Sequence, residues 1–499
     1  MDNKRIYWST IVAWLTLFQG NMLLVNGQFN YKEALTKSLI FLEAQRSGKL
    51  PPNNRVPWRG DSALDDGKLA NMDLSGGYYD AGDNVKYGLP MAFTVTTLSW
   101  AAIFYKAEFE ATKEMGNIQA AIRWGTDYFM KCSSRRNKLY VEVGDPVEDH
   151  NCWAPPEKMR TKRSVKVIDS STPGSEIAAE TAAAMASSSI VFRHVDRKYA
   201  RSLLNRAKLE KLSFITYNVH ILGSFSIWQN RIKRPMMENV PFTARIQAIM
   251  YDEMMWAATW LYMATNKPIY MKYIQEESIS ASVAEFSWDL KYAGVQVLLT
   301  QLHYEGIKGL ETFKAHGESY ICSVLPDSPY HQINLSPGGF IHMRDGANTQ
   351  YATSTSFLFM VYSDLLAKYK QKVKCGVKEF DSLHLLDFAR KQMDYILGKN
   401  PEGRSYMVGF GKNPPTQAHH RGASVPKLAP NEVIDCPTSF AKWLQRDAPN
   451  PHELTGAIMG GPDINDHFDD KRTDSPKTEP CTYVNSLAAG ALAKLASLG

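Results

Sequence analysis

Two carboxylates stand three residues apart in the stretch Gly76-Gly77-Tyr78-Tyr79-Asp80-Ala81-Gly82-Asp83-Asn84. A glycine-rich bend of this kind can aim both acids at one water. Asp and Asn also build plain turns by bonding their own backbone, and these residues alone leave the two readings even. A second acidic loop runs from Gly460-Gly461-Pro462-Asp463 through Asp466, Asp469, Asp470 and Arg472 to Glu479-Pro480. Its spacing does not match an EF-hand, and its plain alternative is a solvated acidic surface. Between the two lies His419-His420-Arg421. Adjacent histidines project differently, and no i, i+4 pair or intervening Glu supports a zinc site. A His and an Arg could instead bind sugar hydroxyls or orient a carboxylate.

Aromatic residues accompany the acids, among them Trp58, Tyr78, Tyr79, Trp153, Trp256 and Trp288. Sugar rings stack their apolar faces on aromatic rings, while their hydroxyls need polar partners. Trp256 and Trp288 read as core packing, whereas the loop residue Trp153 reads as a ligand contact.

Helices must position these loops. Apolar residues at three- and four-residue spacing predict helices over Tyr31–Gln45, Pro90–Phe109, Ile118–Lys131, Glu176–Phe192, Tyr199–Leu212 and Asp252–Thr265. Others are predicted over Tyr292–His303, Ala352–Tyr369, Leu383–Leu397 and Val484–Leu498. Convincing strand alternation is scarce, so the chain reads as mostly α, with binding residues on loops over a rigid scaffold.

The 499 residues are 44% hydrophobic and 22% charged, an ordinary globular balance without a low-complexity linker, which reads as one large domain. Lys4 and Arg5 precede an apolar run from Ile11 to Phe18, interrupted by Gln19-Gly20-Asn21. That pattern predicts a signal peptide over residues 1–27 rather than a membrane anchor, and a secreted chain with no membrane association after cleavage. The formal charge of +6 falls to +5 without the leader, a mild excess that could favour acidic polymers. The basic stretch Lys158–Lys166 lacks interleaved aromatics, so it reads as a solvated loop and nucleic acid is not an expected partner. Six scattered cysteines form no CxxC pair and read as buried thiols with at most one bridge.

Several long motifs, in order, resemble glycoside hydrolase family nine, specifically its secreted plant endoglucanases. They are RGDSALDDGK (59–68), DLSGGYYDAGDNVKYGLPMAFTVTTLSW (73–100), GDPVEDHNCW (144–153), TPGSEIAAETAAAMASSSIVF (172–192), SYMVGFGKNPPTQAHHRGAS (405–424) and the 454–486 region containing TEPC. The resemblance implies an all-α (α/α)6 barrel, a toroid of six helical hairpins with long active-site loops, over residues 28–499. It implies endohydrolysis of β-1,4-glucosidic linkages in cellulose or related wall glucans, with inversion. Asp83 then corresponds to the catalytic base, Glu479 to the general acid, and Asp80 to a holder of the water. His419 and Asp470 match other active-site positions; Arg421, Trp153 and Tyr79 are expected to bind substrate. Inversion places the two carboxyl groups about 6.5–9.5 Å apart, with Glu479 protonated, for example by proximity to Asp470, and Asp83 ionised. No cofactor is required; the family's fold allows calcium, but no ligands are assigned to it. A monomer is expected, acting on a polysaccharide.

The chain departs from the family pattern at Ser475, where an aromatic is usual, and at Cys481 and Ala418. The larger departure spans 212–250, where VPFTARIQAIMYDE replaces a segment resembling CPFYCSxSGYxDE. A coding string for Asn239–Met250, read from its third base, gives CPFYCSDSGYN. A shifted reading frame is therefore expected here, and a catalytically impaired wall-glucan-binding homologue is the alternative function.

Overall fold

The computed structural model describes residues 29–135, 137–215, 242–278 and 280–498. The expected leader lies outside the described residues, as does 216–241 within the atypical segment; residues 212–215 and 242–250 on its flanks are helical.

Twelve helices carry the scaffold: α1 Tyr31–Ala44, α2 Gly88–Phe104, α3 Met115–Cys132, α4 Ser175–Phe192, α5 Arg197–Ile215, α6 Phe242–Thr265, α7 Pro268–Lys272, α8 Tyr292–Tyr304, α9 Glu311–Val324, α10 Thr349–Tyr369, α11 Ser382–Leu397 and α12 Thr482–Ala496. Their contacts close a circle. Helix α2 packs on α4, α4 on α6, α6 on α8, α8 on α10, α10 on α12, and α12 returns to α2. The remaining six lie against this circle: α1 on α12, α3 on α2, α5 on α4, α7 on α6, α9 on α8 and α11 on α10.

Side-chain patterning explains who lies inside. A helix apolar or small all round must be enclosed, and α2, α4, α10 and α12 are buried along nearly their whole length. Runs of small residues such as Ala182-Ala183-Ala184 and Ala488-Ala489-Gly490-Ala491 let these helices approach closely. A Cβ at Gly490 would collide with the Phe357 ring. Helix α3, by contrast, buries only one stripe, Ile118, Ala121, Ile122, Gly125 and Phe129 among it. Trp100, Trp256, Trp260, Phe286 and Phe357 meet edge to face in the core, which makes Trp256 the packing residue its helix predicts; Trp288 is half-buried beside Tyr483. Lys291, before α8, bonds Glu253 at 3.0 Å and pairs with Glu180 at 3.4 Å, tying α4 and α6 to that turn.

Three expectations need correction. The predicted helix Pro90–Phe109 breaks at Tyr105, and Lys106–Thr112 leaves at 86°. Both pieces bury apolar residues, so periodicity runs through the break unmarked. Helix α9 was not predicted: its sequence is largely polar and interrupted by Gly317, which lies against α8. The cysteines form two disulfides, Cys152–Cys436 and Cys322–Cys375, leaving Cys132 and Cys481 as buried thiols. Partners 284 and 53 residues apart have no spacing signal.

Strands are minor. β1 Lys86–Tyr87, β2 Leu139–Val143 and β3 Val165–Ile168 form an antiparallel sheet with Lys86 opposite Val143. The pairs β4 Asn334–Leu335 with β5 Ile341–His342, and β6 Val373–Cys375 with β7 Lys378–Phe380, are antiparallel. Among the described residues no single helix is long and apolar enough to cross a membrane.

Candidate active site

The bend 76–84 enters β1 and then α2, and residues 478–481 lead into α12, so both acidic segments sit at the N-terminal ends of neighbouring inner helices. The bend is held from below. Gln45, at the end of α1, donates through Nε2 to the carbonyls of Ala81 (2.6 Å) and Tyr79 (3.3 Å). Lys86 donates to the carbonyls of Leu74 and Gly76 and pairs with Asp66 at 2.8 Å. Although burial alone would raise the Asp66 carboxyl, Arg163 and Lys86 hold it below its ordinary value.

Three strands of irregular chain then meet. The Gly82 N–H donates to Glu479 Oε1 at 3.0 Å, His419 N donates to Thr478 O at 3.0 Å, and Thr482 N donates to Asp80 O at 3.1 Å. Gly82 is required by space rather than by φ. A Cβ there would collide with the His419 carbonyl and lie 3.0 Å from Glu479 Oε1.

The carboxyl groups are brought together where water is scarce. Burial, then the charges of Asp83 and Glu479, push Asp80 well above the usual carboxylate range, and its Oδ1 is enclosed without a protein partner. Burial also raises Glu479, opposed by the Gly82 N–H, Arg421 and His150. The rise is in the direction expected of a general acid, but the carboxylates that share its field are Asp80 and Asp83 rather than Asp470. Asp83 was expected to stay ionised on backbone donors. Instead burial and Asp149 push it up to about 7, with Glu479 adding to the rise and Arg421 and His150 opposing it. One backbone donor, Val85 N at 3.2 Å, does reach Asp83 Oδ1, but it does not outweigh desolvation.

His419 Nδ1 donates to the Arg472 carbonyl at 2.7 Å, and burial lowers the ring to about 4. The ring is therefore neutral, with Nε2 as its acceptor. His420 faces the other way: it caps the helical turn at Arg421 by accepting from Ala423 N, and its Nε2 donates to Gln45 Oε1 at 2.7 Å. It thus reaches the bend through Gln45.

The remaining expected site residues stand behind the acids. Asp470 accepts from Thr416 N, Thr416 Oγ1 and Gln417 N, so both its oxygens are committed to the segment just before His419. The three expected substrate contacts are corrected. Trp153 is 1% exposed, bonds Ser424 through Nε1, and places its ring edge-on to His419 at 4.8 Å. Tyr79 is 2% exposed, with its hydroxyl on Ser62. Arg421 is 2% exposed, stacked over Trp153 and paired with Asp149 at 3.2 Å. Burial leaves no face of these side chains for a sugar; they brace those that line the site.

Four residues near the acids carried no clear signal in the sequence. Asp149 is buried beside Asp83, and His150 Nε2 lies 3.8 Å from Asp83 Oδ2. Arg163, in the basic stretch read as solvated, reaches inward to Asp66 and the Asn84 carbonyl. His420 was visible only as half of a pair. Among the described residues, Asp83, Asp149 and His150 are the one group whose ligand atoms lie within 4.8 Å of one another. Calcium prefers six to eight oxygens, and one of these carboxylates is already paired with Arg421, so the set does not fit that ion. The acidic loop is a clasp: Asp466 accepts from Tyr395 and Gly338 N, and Asp463 from Lys477.

The departures from pattern are structural. Ser475 opens the short helix Ser475–Thr478 and accepts from Glu479 N through its carbonyl; Ala418 lies in the core; Cys481 caps α12 as a buried thiol.

The family model described as Glycosyl hydrolase family 9 matches residues 31–492. Endoglucanase 16 of Arabidopsis thaliana is 62% identical over 96% of this chain and 95% of its own length. Endoglucanase 8 of Oryza sativa subsp. japonica is 56% identical over 94% and 91%. Among solved structures, an endoglucanase of the termite Nasutitermes takasagoensis superposes with TM-score 0.79 at 35% identity, covering 95% of this chain and all (100%) of that one. The cellulase Cel9M of C. cellulolyticum in complex with cellobiose gives 0.77 at 29%, covering 95% and 99%.

Proposed function

The chain belongs to glycosyl hydrolase family 9, and from that membership we propose that it hydrolyses internal β-1,4-glucosidic bonds of cellulose or related β-glucans with inversion. It is an endo-1,4-β-glucanase. The closed circle of six helices with six more against it supports the (α/α)6 barrel.

The observation that carries the mechanism is the convergence of Asp80, Asp83 and Glu479 around the Gly82 N–H: burial raises all three, the charge of Glu479 adds to the rise of Asp80 and Asp83, and that of Asp83 adds to the rise of Asp80. Glu479 gives its proton to the glycosidic oxygen as the C1–O bond breaks. Asp83 takes a proton from the water that attacks C1 from the opposite face. Asp80, pushed well above the usual carboxylate range by burial and by the charges of Asp83 and Glu479, holds that water. Neutral His419 accepts a hydrogen bond from a sugar hydroxyl through Nε2. Asp470 positions His419 by holding the backbone before it. No step calls for a cofactor.

Two disulfides suit an oxidising compartment and support the reading of a secreted, wall-acting enzyme. Nothing in the described site favours the impaired alternative. Reducing-sugar release from carboxymethylcellulose, compared with Glu479→Gln, tests activity, and proton NMR of a short cello-oligosaccharide digest tests inversion. Early appearance of the α-anomer is expected; a β-anomer would reject inversion, and equal rates for the two proteins would reject the acid role.

A further inference from the structure

Behind the expected base stands a buried carboxylate that the mechanism above does not use. Asp149 lies in the short helix Pro146–His150, which Asp145 caps by accepting from Val147 N and Glu148 N. It is 1% exposed. Its Oδ2 faces two groups, the Arg421 Nη2 at 3.2 Å and the Asn84 N–H at 3.4 Å. Its backbone carbonyl also accepts from Arg421 Nη2, at 3.3 Å. Arg421 in turn reaches the bend twice, donating to the Gly82 carbonyl from its backbone N at 3.0 Å and from Nη1 at 3.2 Å. The residues on both sides of Asp83 are thus held by one buried ion pair.

We infer that Asp149 is a positioning residue for the reaction: through Arg421 and the Asn84 amide it fixes the Gly82–Asn84 bend, and by engaging Arg421 it keeps that cation from closing on Asp83. The inference rests on Asp83 being the base.

Two consequences separate this role from plain packing. The first is geometric: the fork of Arg421 is shared among Asp149, Gly82 O and, through Nε, Cys152 O, so loss of the Asp149 carboxylate leaves an always-charged group beside the bend without its counter-ion. The second is electrostatic. The charged and titratable groups around Asp83 are Asp80, Asp149, His150, Arg421, Glu479, the Tyr87 phenol and the Cys481 thiol. Asp149 is the foremost of the charges that raise Asp83, and Arg421 the foremost of those that lower it. Removing the Asp149 charge both deletes the first and frees the second, so Asp83 becomes the weaker base.

The test compares Asp149→Asn, Asp149→Glu and Asp83→Asn in the full chain, assaying kcat and KM on a soluble β-1,4-glucan across pH. Asp149→Asn is expected to move the acidic limb of kcat/KM to lower pH by about one unit or more. Its kcat at the optimum should fall roughly tenfold, with KM changed less than about threefold. Asp149→Glu, which restores the charge on a longer stem, should return the limb to its wild-type position while kcat stays reduced. An unshifted limb with wild-type kcat in Asp149→Asn overturns the inference. Should that variant not fold, as judged by circular dichroism, wild-type kcat in Asp149→Glu overturns it. Asp83→Asn separates the two readings: if it keeps activity, the base assignment fails, whatever Asp149 does.

Discussion

The Gly82 backbone N–H donates to Glu479 Oε1 at 3.0 Å, joining residues 397 positions apart in the chain. This bond makes one site of the bend before α2 and the strap before α12. It exists because Gly82 has no Cβ to strike the His419 carbonyl. The same N–H opposes the rise of Glu479, so it orients the acid while burial still raises it.

Gly82→Ala should therefore separate the two carboxylate segments. Displacement of a catalytic group by about 1 Å costs on the order of 10²-fold in rate. A fall of that size in kcat, with circular dichroism unchanged, is the expected result. Wild-type kcat in Gly82→Ala would show that the approach is not needed.

Glu479→Gln removes the proton donor but keeps an acceptor for the Gly82 N–H. Loss of a general acid costs about 10²- to 10⁴-fold on a natural glucan. A cellobioside with a dinitrophenyl leaving group needs no protonation, so the variant should lose far less on that substrate. Equal losses on both substrates would count against Glu479 as acid.

Asp83→Asn should be inactive and yet more stable above neutral pH. Its carboxyl rises from 3.8 to about 7 on folding, so the native state holds the proton more tightly. The stabilisation from that proton is complete below pH 3.8 and is lost as pH rises through about 7. Asparagine never ionises. The melting temperature of the variant should match wild type near pH 3 and exceed it above pH 7. The reverse order at pH 8 would contradict the raised carboxyl.

His419 acts in the opposite sense, since burial lowers it from 6.5 to about 4. Its contribution to stability is present above 6.5 and lost as pH falls through about 4. Denaturant titrations should find that His419→Gln removes part of the stability gained between those two pH values. An unchanged slope there would place His419 in solvent.

Cys152–Cys436 ties the Trp153 segment to the short helix whose Ser439 accepts from Trp153 N. The double change to Ser should cost about 2–5 kcal/mol. It should also lower kcat, because Trp153 braces both His419 and Arg421. Wild-type stability after the double change would mean that packing alone holds this segment.

Most long helices were legible because enclosure demands apolar or small residues at helical spacing, as in α4 and α12. The break at Tyr105 was not, since both flanking pieces bury apolar residues. Helix α9 escaped although Phe313, Gly317, Tyr320, Ile321 and Val324 share one buried face at helical spacing, because few of its other residues are apolar. Asp80, Asp83, His419 and Glu479 were legible as chemistry in loops. Trp153 and Tyr79 were read as substrate contacts from aromatic type in loops and Arg421 from the motif that holds it, and neither type nor motif says which way a loop side chain faces.

The bond between Gly82 and Glu479 marks the division. By itself the sequence determined the family, the helical scaffold and the identity of the acids, because local periodicity and long motifs are properties of neighbouring residues. Only the tertiary structure decided that Asp83 is raised rather than lowered, that Asp149 and His420 stand behind the bend, and which cysteines pair. Desolvation, charge–charge energies and disulfide pairing depend on distances between residues far apart in the chain, and those distances exist only once the circle of helices has closed.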